Sequence, residues 1–392
     1  GATELQPHYW GCTAKHTGFL MPQTWTFTNE TTTVDFTDDV QSANVVKGRA
    51  TQDDQYAPGG LTFTIRNQSD QASGFTLNDK IELSTNGFSQ FFWVKEILFN
   101  DTSGKALAST ATIACNDLLG LMGRINVIDD ALTQAATLSQ IYTEFNSLLP
   151  AGSDFVLSGN GDSIAIGDTY TGSILNRLNE NLVTEQGWLG LAGGDCGLIS
   201  RSFINDLLPP VITFARESSG SYQFGYSNIE RIQLGVNFVN TSTVIPPIAT
   251  AQTAVDAASV ALYTTYGQTV STVDYNGTQA LGLAEWIAAS RSDPTILQFV
   301  ITLDDLSQNL LQLMVSIEDQ LPVVNVKFRI PGDVTDTESL QIVQGLQFQI
   351  TNVGTFYTVT TSPFSYYAFE IEYNQTDMVY NEPIAYNESR NW

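Results

Sequence analysis

The sequence predicts a mainly β fold with an α+β insert: two β-barrel domains joined by a helix-containing segment. Three observations predict it. Short segments on both sides of the middle of the chain alternate apolar and polar residues with period two, the pattern of a half-buried strand. Glycine-rich turn signals separate those segments. Apolar residues spaced by three and four, the pattern of an amphipathic helix, gather between the two strand-rich regions. The boundaries fall at 1–125 for the first barrel, 126–221 for the insert, 222–365 for the second barrel with helical insertions, and 366–392 for a C-terminal extension.

In the first region Leu61, Phe63 and Ile65 alternate with Thr62, Thr64 and Arg66. Residues 88–99 form an aromatic strand region around Phe91, Phe92, Trp93, Val94 and Ile97, and Ala111, Ile113 and Cys115 alternate with Thr110, Thr112 and Ala114. Gly59-Gly60, Asn86-Gly87 and Ser103-Gly104 supply turns. Asp129-Asp130 suit the start of a helix, where negative charge meets the positive end of the macrodipole, and Pro150 suits its end. Ala135, Leu138, Tyr142, Phe145 and Leu149 would form its apolar face. A second helix is expected from Thr171, with Ile174, Leu175, Leu178 and Leu182 on one face. It runs into a strand at Trp188, a glycine turn at Gly193-Gly194 and a returning strand.

Strands resume near Tyr222. Helices are expected over 251–266, with Val255, Ser259, Leu262 and Tyr266 on a face, and over 278–292, with Leu283, Trp286 and Ile287. Pro294 closes the latter. The clearest hairpin follows: Ile342, Leu346, Phe348 and Ile350 alternate, Asn352-Val353-Gly354 turns, and 356–361 returns.

Length and composition agree with a chain of several packed modules: 392 residues, 42% hydrophobic, mean hydropathy −0.04. No apolar run approaches the roughly 18–20 residues a membrane helix needs, and no basic-then-apolar leader opens the chain, so a soluble protein without a membrane anchor is expected. The net charge of −25 arises from 41 acidic residues against only 16 Lys and Arg. Phosphate binding needs clustered basic residues to displace counterions, and none cluster here, which argues against stable DNA or RNA binding. Three cysteines, Cys12, Cys115 and Cys196, are too few and too scattered for a disulfide framework or a zinc site, and are expected to pack as small hydrophobes.

Several stretches taken together resemble minor tail proteins of siphophages, notably those of actinobacterial hosts. The opening match is Val34-Asp35-Phe36-Thr37-Asp38-Asp39-Val40, then Val46-Lys47-Gly48-Arg49, then Asp53-Asp54-Gln55-Tyr56-Ala57-Pro58-Gly59, followed by a strand from Leu61 to Asn67. Thr112 to Leu119 is similar to the family's closing strand and short helix. The likeness resumes from Ser173 to Arg201, including Glu185-Gln186-Gly187-Trp188, and continues through Ala257-Ala258-Ser259, Tyr266-Gly267, Ala284-Glu285-Trp286 and Arg291 to Pro294. It ends with Val343-Gln344-Gly345-Leu346 and on to Ser362-Pro363. The order of these motifs carries the likeness more than any one of them. Phe348 and Gln349 stand where the family often has His, and residues 127–170 and the Tyr-rich end from about 366 match no part of it.

The resemblance implies a relative of the central baseplate-hub proteins, with two tail-hub β-barrels per subunit and a ring, a trimer, around the DNA exit channel. The implied place is the tail tip of the virion, assembled in the host cytoplasm. The implied neighbours are the tail tube, the tape measure protein and distal fibre or receptor-binding proteins, with DNA passing without specific binding.

His8, Cys12 and His16 recur at spacing four, but Pro7, Gly11 and Thr13 oppose a helix there, and zinc wants more ligands; local packing or an exposed arm is the simpler reading. These are the only two histidines, so a Ser-His-Asp or Cys-His system would have to use this segment. Asp38-Asp39, Asp53-Asp54 and Asp129-Asp130 are candidate carboxylate pairs for glycoside hydrolysis, and read more simply as solvated turns and helix starts. Gly161-Asp162 to Gly167-Asp168 faintly resembles a calcium loop but lacks its ligand spacing. Gly187 to Gly197 lacks the strand-to-helix setting of a phosphate loop. No catalytic, cofactor-binding or metal residue is therefore assigned, and a structural protein, not an enzyme, is expected. The rival readings are a carbohydrate- or receptor-binding adhesin, which exposed Trp and Tyr would favour, and a tail-associated cell-wall hydrolase, which needs a cleft with two carboxylates.

Overall fold

A computed structural model describes residues 25–50, 54–67, 71–85, 88–100, 109–131, 145, 157–160, 169–192, 195–200, 204, 210–219, 222–233, 235–273, 276–294, 297–304, 323–352 and 354–366. The fold is mainly β with few helices, as the sequence predicts, and its large sheet curls into a half-barrel. The first region supplies β1 (Thr26–Asn29), β2 (Val34–Asp35), β3 (Val40–Gly48), β4 (Gly60–Arg66), β5 (Lys80–Thr85), β6 (Phe88–Asn100), β7 (Thr110–Asn116) and the short helix α1 (Leu118–Met122). The alternation in β4 and β7 is realised: Leu61, Phe63, Ile65, Ala111, Ile113 and Cys115 are all buried on one face. Asp117 caps α1 by accepting from the Gly120 amide at 3.1 Å.

The middle of the chain holds β8 (Asn126–Ala131), β9 (Leu157–Asn160), β10 (Thr169–Ser173), α2 (Ile174–Glu185), β11 (Trp188–Ala192) and β12 (Asp195–Ile199). The expected apolar face of α2 is buried, with Ser173 as its cap, and the hairpin after it forms as expected, Trp188 opposite Ile199. One expectation is overturned. Asp129 and Asp130 do not start a helix; they lie in β8, whose backbone pairs antiparallel with β10 and whose Val127 is buried while Ile128 faces out. The rest of the helix expected up to Pro150 lies outside the described residues, except Phe145, which is buried 6.4 Å from the ring of Tyr170.

The remaining elements are β13 (Ile212–Ala215), β14 (Gln223–Gly225), β15 (Asn228–Ile232), β16 (Thr241–Ile245), β17 (Gln252–Val255), α3 (Ala257–Tyr263), β18 (Gly267–Ser271), α4 (Gly277–Ser290), β19 (Gln298–Asp304), β20 (Val323–Phe328), β21 (Thr337–Thr351) and β22 (Gly354–Pro363). The expected α4 and the β21–β22 hairpin are present. The long helix expected over 251–266 is not. Its first part is β17, and only the seven residues of α3 are helical, with Ser259 alone buried among them. Asp256 accepts from the Ser259 amide and so fixes the helix start at Ala257. At the other end Thr264 takes φ 65, which stops it.

Strands from both halves share one 14-stranded sheet in the order β14-β13-β20-β21-β3-β4-β7-β6-β5-β1-β2, with β22, β19 and β15 branching from β21. The link between the halves is the antiparallel β3–β21 ladder, from Gly48 opposite Gly345 to Ala43 opposite Ile350. One hydrophobic core lines the sheet and includes Phe27, Phe63 and Ile113 from one half and Phe299, Phe348 and Tyr357 from the other. Trp25 stacks on Phe348 at 5.3 Å and donates its indole N–H to the Thr355 hydroxyl. Burying side chains of this size contributes roughly 1.5–3 kcal/mol each, so the two halves share a large part of their stabilisation. A smaller sheet, β17-β16-β18, is backed by α4 through Val244, Val270, Leu283 and Ile287.

Candidate functional site

Several of the motifs that carry the resemblance, among them Gly48-Arg49, Tyr56, Gly187-Trp188 and Val343-Gln344-Gly345, meet at the end of the β3–β21 ladder. Long β21 pairs with β20 through its first half and with β3 through its second, and the change falls at a bulge where Gln344 is the unopposed residue. Gly48 ends β3 with φ +82, and a Cβ there would lie 2.1 Å from the Gln344 carbonyl oxygen, so only glycine fits. Arg49 follows. Its backbone N–H donates to the Gln344 carbonyl at 2.9 Å and its Nε to Gln344 Oε1 at 2.7 Å. Its terminal nitrogens reach the Asp54 and Gly187 carbonyls, and its guanidinium lies 4.6 Å from the centre of the Tyr56 ring.

Tyr56 is buried beneath it and bonded on three sides. Asn179 of α2 exchanges two hydrogen bonds with its backbone, and the Leu189 amide donates to its hydroxyl. Trp188 donates its indole N–H to the Val343 carbonyl at 2.6 Å. Beyond α2, Gln186 takes the left-handed conformation, φ 49, and its side-chain carbonyl accepts from Arg291, which also donates to Gln268 of β18. Arg291 is 1% exposed and lies over Tyr366. The Gly-Arg turn, the α2 terminus, the β21 bulge and the small sheet are thereby held in one polar junction. A cleft of about 280 Å³ opens beside it, lined by Arg49, Asp54, Asn179, Gln186, Gln268 and Ser271 among others.

The chemistry of this cleft is that of a fastening. Arg49 at the wall and Arg291 behind it donate to fixed carbonyl and amide oxygens, and apart from the exposed carboxylate of Asp54 the rest of the wall is amide, hydroxyl and apolar. Asp117 is buried with its carboxylate accepting from the Gly59 and Gly120 amides; desolvation pushes its pKa up to about 6 against those donors and the charge of Lys47. Burial likewise pushes the Cys115 thiol up, and that cysteine packs in the core as expected.

The sequence-predicted candidates do not converge on the cleft, except for Asp54, which is exposed at its rim. Asp38 and Asp39 sit in a 3-10 turn, the first exposed and the second half-buried. His8, Cys12, His16, Asp53 and 161–168 lie outside the described residues, as do the side chains of Asp129, Asp130 and Cys196. Glu30 is held above the ordinary carboxylate range, first by desolvation and then by a hydrogen bond with Glu82 and its charge, but this pair stands on the outer surface of β5. Among the described residues no three His, Cys, Asp or Glu side chains are grouped to hold a metal. Within 187–197 the described residues belong to the antiparallel pair β11 and β12, not to the strand-to-helix setting of a phosphate loop. Sequence reasoning missed the junction itself, although the dipeptides Gly48-Arg49 and Gln344-Gly345 were its visible trace.

No protein-family model and no curated protein sequence matches the chain. Solved structures do. The chain is similar to a tail protein from Neisseria meningitidis MC58, with TM-score 0.60, 11% identity, and 86% of this chain and 96% of that one covered. It is similar to the 43 kDa tail protein of prophage MuSo2 from Shewanella oneidensis, with TM-score 0.56, 10% identity and coverage of 88% and 98%. It is also similar to the prophage tail protein gp18 from Listeria monocytogenes EGD-e, with TM-score 0.52, 10% identity and coverage of 86% and 94%. Over 86–88% of its length, this chain has the fold of these tail proteins.

Proposed function

We propose that this chain is a structural protein of the bacteriophage tail, of the siphophage minor-tail type, which forms a hub ring at the tail tip around the DNA exit channel. The observation that carries the reading is the shared fold with three tail proteins, each covered over at least 94% of its length. The convergence of the Gly48-Arg49, Gln186-Gly187-Trp188 and Gln344-Gly345 motifs on one junction supports it, because it gives the resemblance a common structural cause. In this reading the regions 1–125 and 222–365 act as two barrel domains per subunit and a trimer closes the ring. The chain works by assembly and not by catalysis. It joins the tail tube and tape measure protein to distal fibre or receptor-binding proteins, and DNA passes without specific binding.

The test is to locate the chain in assembled particles by electron microscopy with a specific antibody, and to remove its gene. Label at the tail tip, with tails failing to assemble after removal, is expected. Complete infectious tails without the protein would refute the proposal.

A further inference from the structure

Among the described residues, the small sheet β17-β16-β18 is covered on one face only. Ser242, Val244 and Val270 are buried towards α4. The register sets Thr241 beside Val255, Thr243 beside Thr253 and Thr269, and Ile245 beside Ser271, so these alternate residues form the opposite face. That face is open: Val255 is 54% exposed, and the Thr243 and Thr253 hydroxyls bond each other 2.8 Å apart. At its Val255 end, α3 and the residue before β18 add more apolar surface. Leu262 is 75% exposed, and the rings of Tyr263 and Tyr266, both exposed, stand edge-on to Phe238.

Charge is nearly absent. Between Arg231 and Arg291 the only charged residues are Asp256, Asp274 and Glu285, in a chain that is 15% charged overall. The strand edges differ in the same way. The open edges of the large sheet are guarded: β2 has two residues and an aspartate, β14 has three residues, and β15 carries Glu230 and Arg231. β17 and β18, the outer strands of the small sheet, carry no charge, no proline and no bulge. β18 borders the cleft beside the α2 terminus, so β17 is the unguarded edge, and an uncharged apolar face beside such an edge has the composition of an interface centre.

We infer that this face, centred on Val255, Thr243 and Leu262, docks a second copy of this chain. The charge argument selects that occupant. Each chain carries −25, so two copies repel over most of their surfaces, and within the screening length of about 8 Å a face poor in carboxylates, with Asp256 engaged in capping α3, brings them together at low Coulomb cost. A basic partner would be drawn instead to the acidic remainder of the chain, since this face offers it almost nothing to pair with. The inference rests on the reading of the chain as an assembly protein, but its test does not involve the virion.

The mass of the purified full chain in solution is measured by light scattering across a concentration series, for the wild type and for V255D and L262D. V334D is the control. It adds the same charge at a site 87% exposed, beside Asp333 and Asp336. Circular dichroism and the unfolding midpoint verify that each variant folds; L262S tests the same site without added charge. The wild type is expected to self-associate, and V255D and L262D to raise the dissociation constant about 100-fold or more, because each would bury an unpaired carboxylate. L262S should weaken association less and V334D should leave it intact. A monomeric wild type, or association that survives both aspartates, overturns the inference and leaves the tail assignment standing. Absence of the chain from virions would overturn the assignment and leave the self-association result intact.

Discussion

Arg49 and Gln344, 295 positions apart in sequence, are joined twice: the backbone N–H of Arg49 donates to the Gln344 carbonyl and its Nε donates to the Gln344 side-chain oxygen. The pair sits where β21 exchanges β20 for β3 as its partner, so it closes the contact between the two halves of the large sheet. Hydrogen bonds from a charged donor contribute roughly 1.5–3 kcal/mol each. Arg49→Ala is expected to lower unfolding free energy by about 2–3 kcal/mol after partial solvation of the site. Arg49→Lys should recover only part, because a lysine has no planar fork to bridge Gln344 and Gly187 together. Denaturant titration measures both; wild-type stability in Arg49→Ala would remove the junction from any structural role.

Gly48→Ala should be more harmful than its size implies. The new Cβ would meet the Gln344 carbonyl at 2.1 Å and the backbone would hold a positive φ. A cost of about 1–3 kcal/mol is expected from strain at such a position. Gly235→Ala is the comparison, since nothing lies within 4 Å of its Cβ position. Equal midpoints for the two variants would contradict the geometry.

The shared core makes a prediction about cooperativity. Phe63 and Phe299 come from different halves of the chain but belong to one buried cluster. Phe63→Ala and Phe299→Ala should each cost about 3–5 kcal/mol and lower the midpoint of the same transition. Calorimetry showing that each variant destabilises a separate transition would mean that the halves fold independently.

The strands were legible where one face is buried along a continuous segment. Leu61, Phe63 and Ile65 declare β4, and Phe348 and Ile350 declare the last part of β21. The β3–β21 pairing was not legible, because edge-to-edge partners recognise each other through backbone groups that all residues share. Val255, Ser259, Leu262 and Tyr266 carry a helical spacing, yet the strand pairing of β17 with β16 takes the first of them. Asn240 holds the last: its side-chain oxygen accepts from the Tyr266 amide. The apolar character of that stretch was real, but it lies on an outer surface rather than in a core. The polar junction escaped notice because its members lie far apart in sequence and none is individually unusual.

Asp117 should make stability depend on pH in the direction opposite to most carboxylates. Its folded pKa of about 6 lies above its ordinary value of 3.8, so between those values the folded chain holds a proton that the unfolded chain has released. This contribution is therefore fully present below pH ~4 and is lost as pH rises through 6, by roughly 3 kcal/mol at about 1.4 kcal/mol per pH unit. Asp117→Asn keeps an oxygen for one amide and removes the titration. The difference in unfolding free energy between wild type and Asp117→Asn should thus shift in favour of the wild type on going from pH 7 to pH 5. A difference that stays constant over that range would show that Asp117 does not titrate there.

The charge makes the last prediction. DNA passing a tail exit is retarded by every Lys or Arg that pairs with a phosphate, and each such pair releases counterions and steepens the salt dependence of binding. With 16 basic residues against 41 acidic ones, a strongly basic channel is hard to build from this chain. Repulsion reaches only about 8 Å at physiological salt, so the effect needs carboxylates on the channel wall itself and not merely a negative total. Two measurements follow. Double-stranded DNA mixed with the purified chain at low salt, where attraction would be strongest, should migrate unretarded. If the chain forms the proposed ring, a reconstruction of the assembled tail tip should show a negative potential along the lumen. Retention of DNA that weakens steeply with added salt, or a net positive lining, would refute the acidic channel, and a closed ring of six copies would refute the trimer while leaving the electrostatic argument intact.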